Sequence, residues 1–200
     1  MSRMRLFLAG VGGQGTLTAT NLLGLMALSK GMDVCSGEIH GMAQRGGIVE
    51  STVLLGGYLS PKICHGEADV LLGFEPLETL RALPYLKPEG LAVSNTEPTM
   101  PVGVSLGQEA YPSLETVRDR TRACAGESYF VGCKSLGRQA GTVQSANTVL
   151  LGAFCSLPAA PFTWQELQEA IAAHLPAKIQ AVNFEASRLG REAVSEEPAI

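Results

Sequence analysis

Met4-Arg5-Leu6-Phe7-Leu8-Ala9 runs without a break into Gly10-Val11-Gly12-Gly13-Gln14-Gly15, and the reading of that junction decides the fold. A short apolar run that ends in glycine reads as a buried strand. Gly15–Lys30 then carries Leu17, Leu22, Leu25, Met26 and Leu28 among small residues, with Gly31 just past its end as a C-cap, so it reads as a helix. Strand, glycine turn and helix in this order open an α/β unit. Glycines let the backbone turn tightly and approach a ligand, and the free amides of the helix start favour a phosphate or another anion. The same turn also serves as a plain strand–helix crossover with nothing bound. A dinucleotide site of this type needs an acid at the end of the second strand, and Glu38 stands at about the right distance.

Working outward, Asp33–Ser36 reads as a second strand and Ile48–Leu55 as a third. In the third, Val49, Ser51, Val53 and Leu55 share one face and Ile48, Glu50, Thr52 and Leu54 the other. Ala68–Phe74 is nearly all apolar, the form of a central strand covered on both faces. Glu75-Pro76 breaks it and opens a helix through about Tyr85. Leu91–Ser94 and Ser128–Val131 read as strands, Leu114–Cys124 and Ser145–Cys155 as helices. Thr163-Trp164-Gln165-Glu166 has the form of a capping box, and Trp164, Leu167, Ile171 and Leu175 follow at helical spacing. Pro176 ends that helix, and Ile179, Val182, Ala186 and Leu189 continue the period in another. The expected fold is α/β: a three-layer α/β/α sandwich with a largely parallel or mixed sheet, a Rossmann-like glycine turn after the first strand and a helical C-terminal part. Residues 1–194 are expected to form a single domain, with 163–194 as its C-terminal helices and Ser195–Ile200 as a frayed tail.

The 200 residues suffice to bury a core without disulfides or a structural metal. A 17% charged fraction lies below the ~25% usual for soluble domains, which implies that part of the surface is covered by something other than water. The formal charge of −4 speaks against nucleic acid, whose phosphates reward clustered Lys and Arg. No apolar run reaches the ~18–20 residues of a membrane span. The basic start resembles a secretion signal, but Leu6–Ala9 enters the glycine loop with no cleavage site, so no leader is expected. Cys35, Cys64, Cys124, Cys133 and Cys155 are odd in number, widely spaced and free of any C-x-x-C pair. That pattern fits thiols in a reducing cytoplasm, not a disulfide framework, a zinc site or an iron–sulfur site, and no metal site is expected in this chain.

Ser36–Gly47 packs four glycines with Glu38, His40, Gln44 and Arg45 into twelve residues, a composition poor for helix or strand and suited to a functional loop. Arg45 can present a guanidinium fork to a carboxylate or phosphate, or brace the loop against a glutamate. His40 and His65 have no second ligand at helical spacing and read as polar loop histidines. Glu75 sits where open α/β sheets place their sites, and is equally suited to cap the helix that follows. No G-x-S-x-G is present.

Three segments in this order, G-V-G-G-Q-G (10–15), G-E-I-H-G-M-A-Q-R-G-G (37–47) and G-E-A-D-V-L-L-G-F-E-P-L-E (66–78), resemble the gamma subunit or gamma domain of 2-oxoacid:ferredoxin oxidoreductases. The H-G-M-A-Q-R-G-G form is most similar to the separate small (beta) subunit of the indolepyruvate type, and S-A-N-T-V-L-L-G (145–152) also fits the family. The resemblance implies a subunit that is inactive alone. In such enzymes thiamine diphosphate with Mg decarboxylates a 2-oxoacid, iron–sulfur clusters pass electrons to ferredoxin and coenzyme A takes the acyl group. The thiamine and cluster sites belong to a large alpha subunit, in keeping with the lack of a G-D-G…N-N signature here. Carried onto this chain, the family's glycine turn falls on Gly12, Gly13, Gln14 and Gly15, the second loop on His40, Gln44, Arg45, Gly46 and Gly47, and the strand-end motif on Glu75. These residues are expected at a cofactor site or subunit interface, with no catalytic residue assigned. The implied partners are the large subunit and, through it, ferredoxin, with a homodimer possible for the chain in isolation and no nucleic acid or membrane. Two other functions stay open: a free-standing dinucleotide-binding oxidoreductase with Glu38 on the ribose, and a pure assembly module.

Overall fold

Leu6 and Leu8 point to one side of the first strand and Phe7 and Ala9 to the other, and all four are buried, so β1 (Met4–Val11) must be covered on both faces. The structure, a computed structural model, describes residues 3–41, 47–101, 104, 106–107 and 110–196. After β1 come α1 (Thr16–Ser29), β2 (Val34–His40), β3 (Ile48–Leu55), β4 (Ala68–Gly73), α2 (Pro76–Ala82), β5 (Leu86–Asn95), α3 (Leu114–Cys124) and β6 (Glu127–Val131). Four helices close the chain: α4 (Cys133–Ala140), α5 (Ala146–Phe154), α6 (Trp164–His174) and α7 (Ala177–Glu196).

The six strands form one sheet in the order β2-β3-β1-β4-β5-β6. β1, β4, β5 and β6 are parallel, whereas β3 lies antiparallel between β1 and β2, with Leu6 opposite Val53. The expected α/β sandwich with a mixed sheet is therefore what forms. Val53, Leu55, Val70, Leu72, Leu91 and Val93 join Leu6 and Leu8 under α1, α5, α6 and α7. Leu54, Leu71 and Ala92 join Phe7 on the opposite face, under α2 and the single turn at Leu83–Tyr85, where Tyr85 stacks on Phe7 at 4.4 Å.

The two faces differ in how closely helices approach. α5 is buried along all but its first residue and crosses α7 at two glycines. A Cβ on Gly152 would overlap the backbone of Ser187, and one on Gly190 would overlap the carbonyl of Val149. The capping box at Thr163 forms as expected, with Glu166 also reaching Lys30, the C-cap of α1, at 2.7 Å.

Four elements depart from the sequence expectation. β2 continues to His40, and β5 begins at Leu86 because Pro88-Glu89-Gly90 is accommodated within the strand. α4 has no counterpart in the periodicity, since Leu136 is its one large apolar side chain and Gly137 interrupts it. That glycine is closely packed, since a Cβ there would sit 3.0 Å from Ala146 N. α7 continues to Glu196, past the expected end at residue 194.

Candidate functional site at the sheet's carboxyl end

β1 and β4 are parallel neighbours, but the chain leaves β1 to α1 on one face and leaves β4 to α2 on the other. Two connections that depart in opposite directions leave a crevice at the carboxyl ends of the strands, the general ligand position of open α/β sheets. The sequence-derived residues divide around it.

The glycine turn forms one lip. Gly13 and Gly15 take left-handed φ of 97° and 79°, which glycine tolerates and other residues do not. Gly15 is the N-cap of α1 and offers no side chain to the helix amides. Gln14 folds back so that its Oε1 accepts from Val11 N at 3.0 Å. Asn147 of α5 donates to Gly15 O at 3.2 Å, and a Cβ on Gly15 would come within 2.5 Å of its Nδ2. Thr16 Oγ1, buried under the turn, has no hydrogen-bond partner. Gly12 N donates to Gly47 O at 2.9 Å, which joins the turn to the end of the second loop.

Glu75 forms the opposite wall and is 1% exposed. Its Oε2 accepts from Leu77 N at 2.7 Å and Glu78 N at 3.1 Å, so it caps α2. Its Oε1 accepts from Thr99 N at 3.0 Å and from the Tyr111 hydroxyl. Both oxygens are thus spent on the protein, and of the two roles open in the sequence the structure shows the cap. Burial and this carboxylate push the Tyr111 phenol far up, so it stays a donor at any physiological pH.

His40 is not brought into the crevice. It stands at the sheet edge, exposed, with Nε2 3.1 Å from Glu38 Oε2, while Ser51 Oγ donates to the other oxygen of Glu38 at 3.4 Å. Gln44, Arg45 and Gly46 lie outside the described residues.

Residues that the sequence reading did not single out complete the site. Asn95, at the end of β5, donates to the carbonyls of Phe74 and Glu97 at 3.0 Å and accepts from Glu97 N and Cys133 N at 3.1 Å. All of its hydrogen-bonding groups are used, tying β4, β5 and the start of α4 together. Thr99 Oγ1 accepts from Gln14 Nε2 at 3.0 Å and from Lys134 Nζ at 2.7 Å, so one hydroxyl links the glycine turn to α4. Lys134 also donates to Pro98 O. Burial lowers the Lys134 amine, with Glu75 and Glu97 pulling the other way. Between these groups opens a cleft of about 150 Å³, floored by Phe74, Leu150, Ala146 and Cys133. Burial also pushes the Cys133 thiol well above its usual range, so it is a neutral part of the wall. An isolated asparagine, threonine or lysine gives no sequence signal. Asn147 alone lay in a quoted motif.

Among the described residues no three His, Cys, Asp or Glu side chains gather as a metal site would require. The cysteines are free and none belongs to such a group, so the described residues do not fit an iron–sulfur cluster. An anionic organic group does fit: an ammonium bonded to neutral oxygens and an apolar floor line one cleft beside the glycine turn.

The sequence model of the pyruvate ferredoxin/flavodoxin oxidoreductase family matches residues 5–193. The chain belongs to that family. Within it, the chain is 41% identical over 201 residues to the indolepyruvate oxidoreductase subunit IorB of Pyrococcus horikoshii and 39% identical to that of Thermococcus kodakarensis, covering 98% of each chain in both pairs. The family fold extends to lower identity. The gamma subunit of a keto/oxoacid ferredoxin oxidoreductase from Geobacter sulfurreducens superposes with a TM-score of 0.70 at 19% identity, over 97% of this chain and 99% of that one. No helix among the described residues is long and apolar enough to cross a membrane.

Proposed function

We propose that the chain is the small subunit of an indolepyruvate-type 2-oxoacid:ferredoxin oxidoreductase, active only when joined to a large subunit. The carrying observation is identity of 39–41% to IorB subunits along essentially the whole chain. The assembled enzyme would convert an aryl 2-oxoacid to acyl-CoA, CO2 and reduced ferredoxin. In it, thiamine diphosphate with Mg supplies the decarboxylation chemistry, iron–sulfur clusters the electron path and coenzyme A the acyl acceptor. This chain's own part is to bind and orient. Gly12, Gly13, Gln14 and Gly15, with His40, Gln44, Arg45, Gly46 and Gly47, line the face toward the cofactors or the large subunit, and Glu75 holds the crevice wall in place. Lys134 is the residue for an anionic group there. A cytoplasmic location, a single domain over residues 1–194 and a capacity to dimerise when isolated complete the proposal.

The dinucleotide alternative is less well supported, because the Glu38 carboxylate is already bonded to His40 and Ser51. Anaerobic co-purification with a thiamine- and cluster-containing large subunit, restoring indolepyruvate-dependent ferredoxin reduction, is the expected result. Failure to find such a partner, together with micromolar NADH binding by the chain alone, would overturn it. Arg45→Ala is expected to lower that oxidation rate by roughly tenfold, the scale of one lost charge-assisted contact, while circular dichroism of the chain stays unchanged. A variant that unfolds would instead make Arg45 a brace.

A further inference from the structure

We propose that the free edge of β2, together with the outer flank of α1, is a self-complementary surface through which two copies of this chain pair across a two-fold axis, joining their sheets into one. The inference rests on the proposed capacity of the isolated chain to dimerise and names the surface that serves it.

The backbone of β2 sets the first requirement. Asp33 O accepts from Gly56 N at 2.9 Å and Gly41 N donates to Ile48 O at 2.8 Å, so the odd-numbered residues between them turn their backbone groups toward β3. Val34, Ser36, Glu38 and His40 aim theirs away from the sheet, and among the described residues no strand lies beyond. Natural edges are blunted by lysine, proline or a bulge. β2 has none of these, and its one acid, Glu38, is bonded to His40 and Ser51. No residue of β2 is buried, whereas the last three of β6, at the opposite edge, all are. α1 sets the second requirement, because its fourteen residues include no Asp, Glu, Lys or Arg. A helix without charge belongs in an interior. Yet Leu17 is 49% and Leu28 58% exposed, and the space beside Gly24 is open. Leu25 and Ser29 line a cavity with Glu169 and Ala170 of α6, so helical spacing puts Leu17, Gly24 and Leu28 on the flank turned from α6. α1 packs on β1, β2 and β3, which sets that flank above the β2 edge. It offers a charged partner nothing to hold, whereas a copy of itself matches it.

A two-fold axis through Gly37, normal to the sheet, satisfies both. It aligns all of β2 with its copy, antiparallel, and the outward-facing residues form the hydrogen-bonded pairs. The exposed Ser36 then stands opposite Glu38 of the second copy, and Ile39, 69% exposed, stands opposite its Cys35. Such an axis keeps both α1 helices on one side of the joined sheet, with their uncharged flanks facing across the seam. A stable pair buries ~800 Å² per partner. A strand edge alone falls short of that, and the α1 flank, about 21 Å long, supplies the remainder.

Sedimentation of the full chain is expected to show a dimer at about 100 μM, and Leu28→Glu is expected to weaken it roughly tenfold or more, with circular dichroism unchanged. With the exposed Cys64 and Cys124 replaced by serine, Ile39→Cys is expected to cross-link two copies through Cys35 when diamide is added as oxidant. Adding Cys35→Ser is expected to abolish that link. In the co-purified complex the same link is expected between two small subunits. The proposal is overturned by a chain that stays monomeric, by a dimer that Leu28→Glu leaves intact, by a link that persists without Cys35, or by a link to the large subunit instead. Co-purification of the parent with a large subunit reports on the subunit reading alone. A monomeric chain that still brings that subunit down refutes this surface and leaves the reading standing.

Discussion

Gly152→Ala is expected to lower the melting temperature by roughly 10 °C, or to prevent folding altogether. On a helix surface the same change would stabilise by about 1 kcal/mol, because alanine is the better helix former. Here the added methyl overlaps the backbone of Ser187, where α7 crosses α5. Backbone cannot swing aside as a side chain can, so the helices must separate along a buried seam. Overpacking of this kind costs about 3 kcal/mol or more, and in a domain of this size each kcal/mol moves the midpoint by roughly 2–4 °C. Gly190→Ala meets the carbonyl of Val149 at the same crossing and should behave alike. Once the helices have been forced apart by one methyl, the second finds room, so the double variant should cost less than the sum of the two. Thermal unfolding followed by circular dichroism decides the matter. A shift below about 2 °C would mean that the crossing is looser than described.

The second large effect is expected at Glu75. Replacing it by alanine leaves Glu78 N, Thr99 N and the Tyr111 hydroxyl without their acceptor, and Leu77 N with just its 3.3 Å bond to that hydroxyl, in a place where water reaches poorly. Part of the loss is offset, since a buried carboxylate no longer has to be desolvated. The three stranded donors and the weakened fourth outweigh that gain, and a net cost of about 3 kcal/mol is expected. Glu75→Gln keeps the shape but turns an NH2 toward donors, so it should fall between alanine and the parent. The consequence reaches beyond stability: Thr99, freed from Glu75, no longer holds Gln14 and Lys134 in place. Faster hydrogen exchange at Leu77 and Glu78, accompanied by changed amide shifts at Gly13, would show both halves of this effect. Exchange rates equal to those of the parent would contradict it.

These two sites show where sequence reading reaches and where it stops. The strands and most helices were legible because burial on both faces writes continuous or alternating apolar runs, as in Ala68–Gly73 and Ile48–Leu55. The glycine turn was legible because only glycine serves at φ of 97° and 79°. α4 was not, since a short helix held by one leucine and a close-packed glycine leaves no periodic trace. The antiparallel insertion of β3 was equally hidden, because a strand's own sequence does not state its direction. Half of the crevice was read from its motifs. The other half, Asn95, Thr99 and Lys134, came together only through tertiary structure, from the end of β5, the loop after it and the first turn of α4. His40 went the other way: proximity in sequence to the glycine-rich loop did not bring it to the crevice.

The bond from Asn147 to Gly15 spans 132 residues of chain. A contact that distant forms late, since long loops must close before it is rewarded. A nascent chain that stops short of α5 can therefore carry the first strand and its glycines and still lack the turn in its working shape. The crevice is in effect a receipt for completed folding. Any partner that docks there selects finished molecules over incomplete ones without a separate proofreading device.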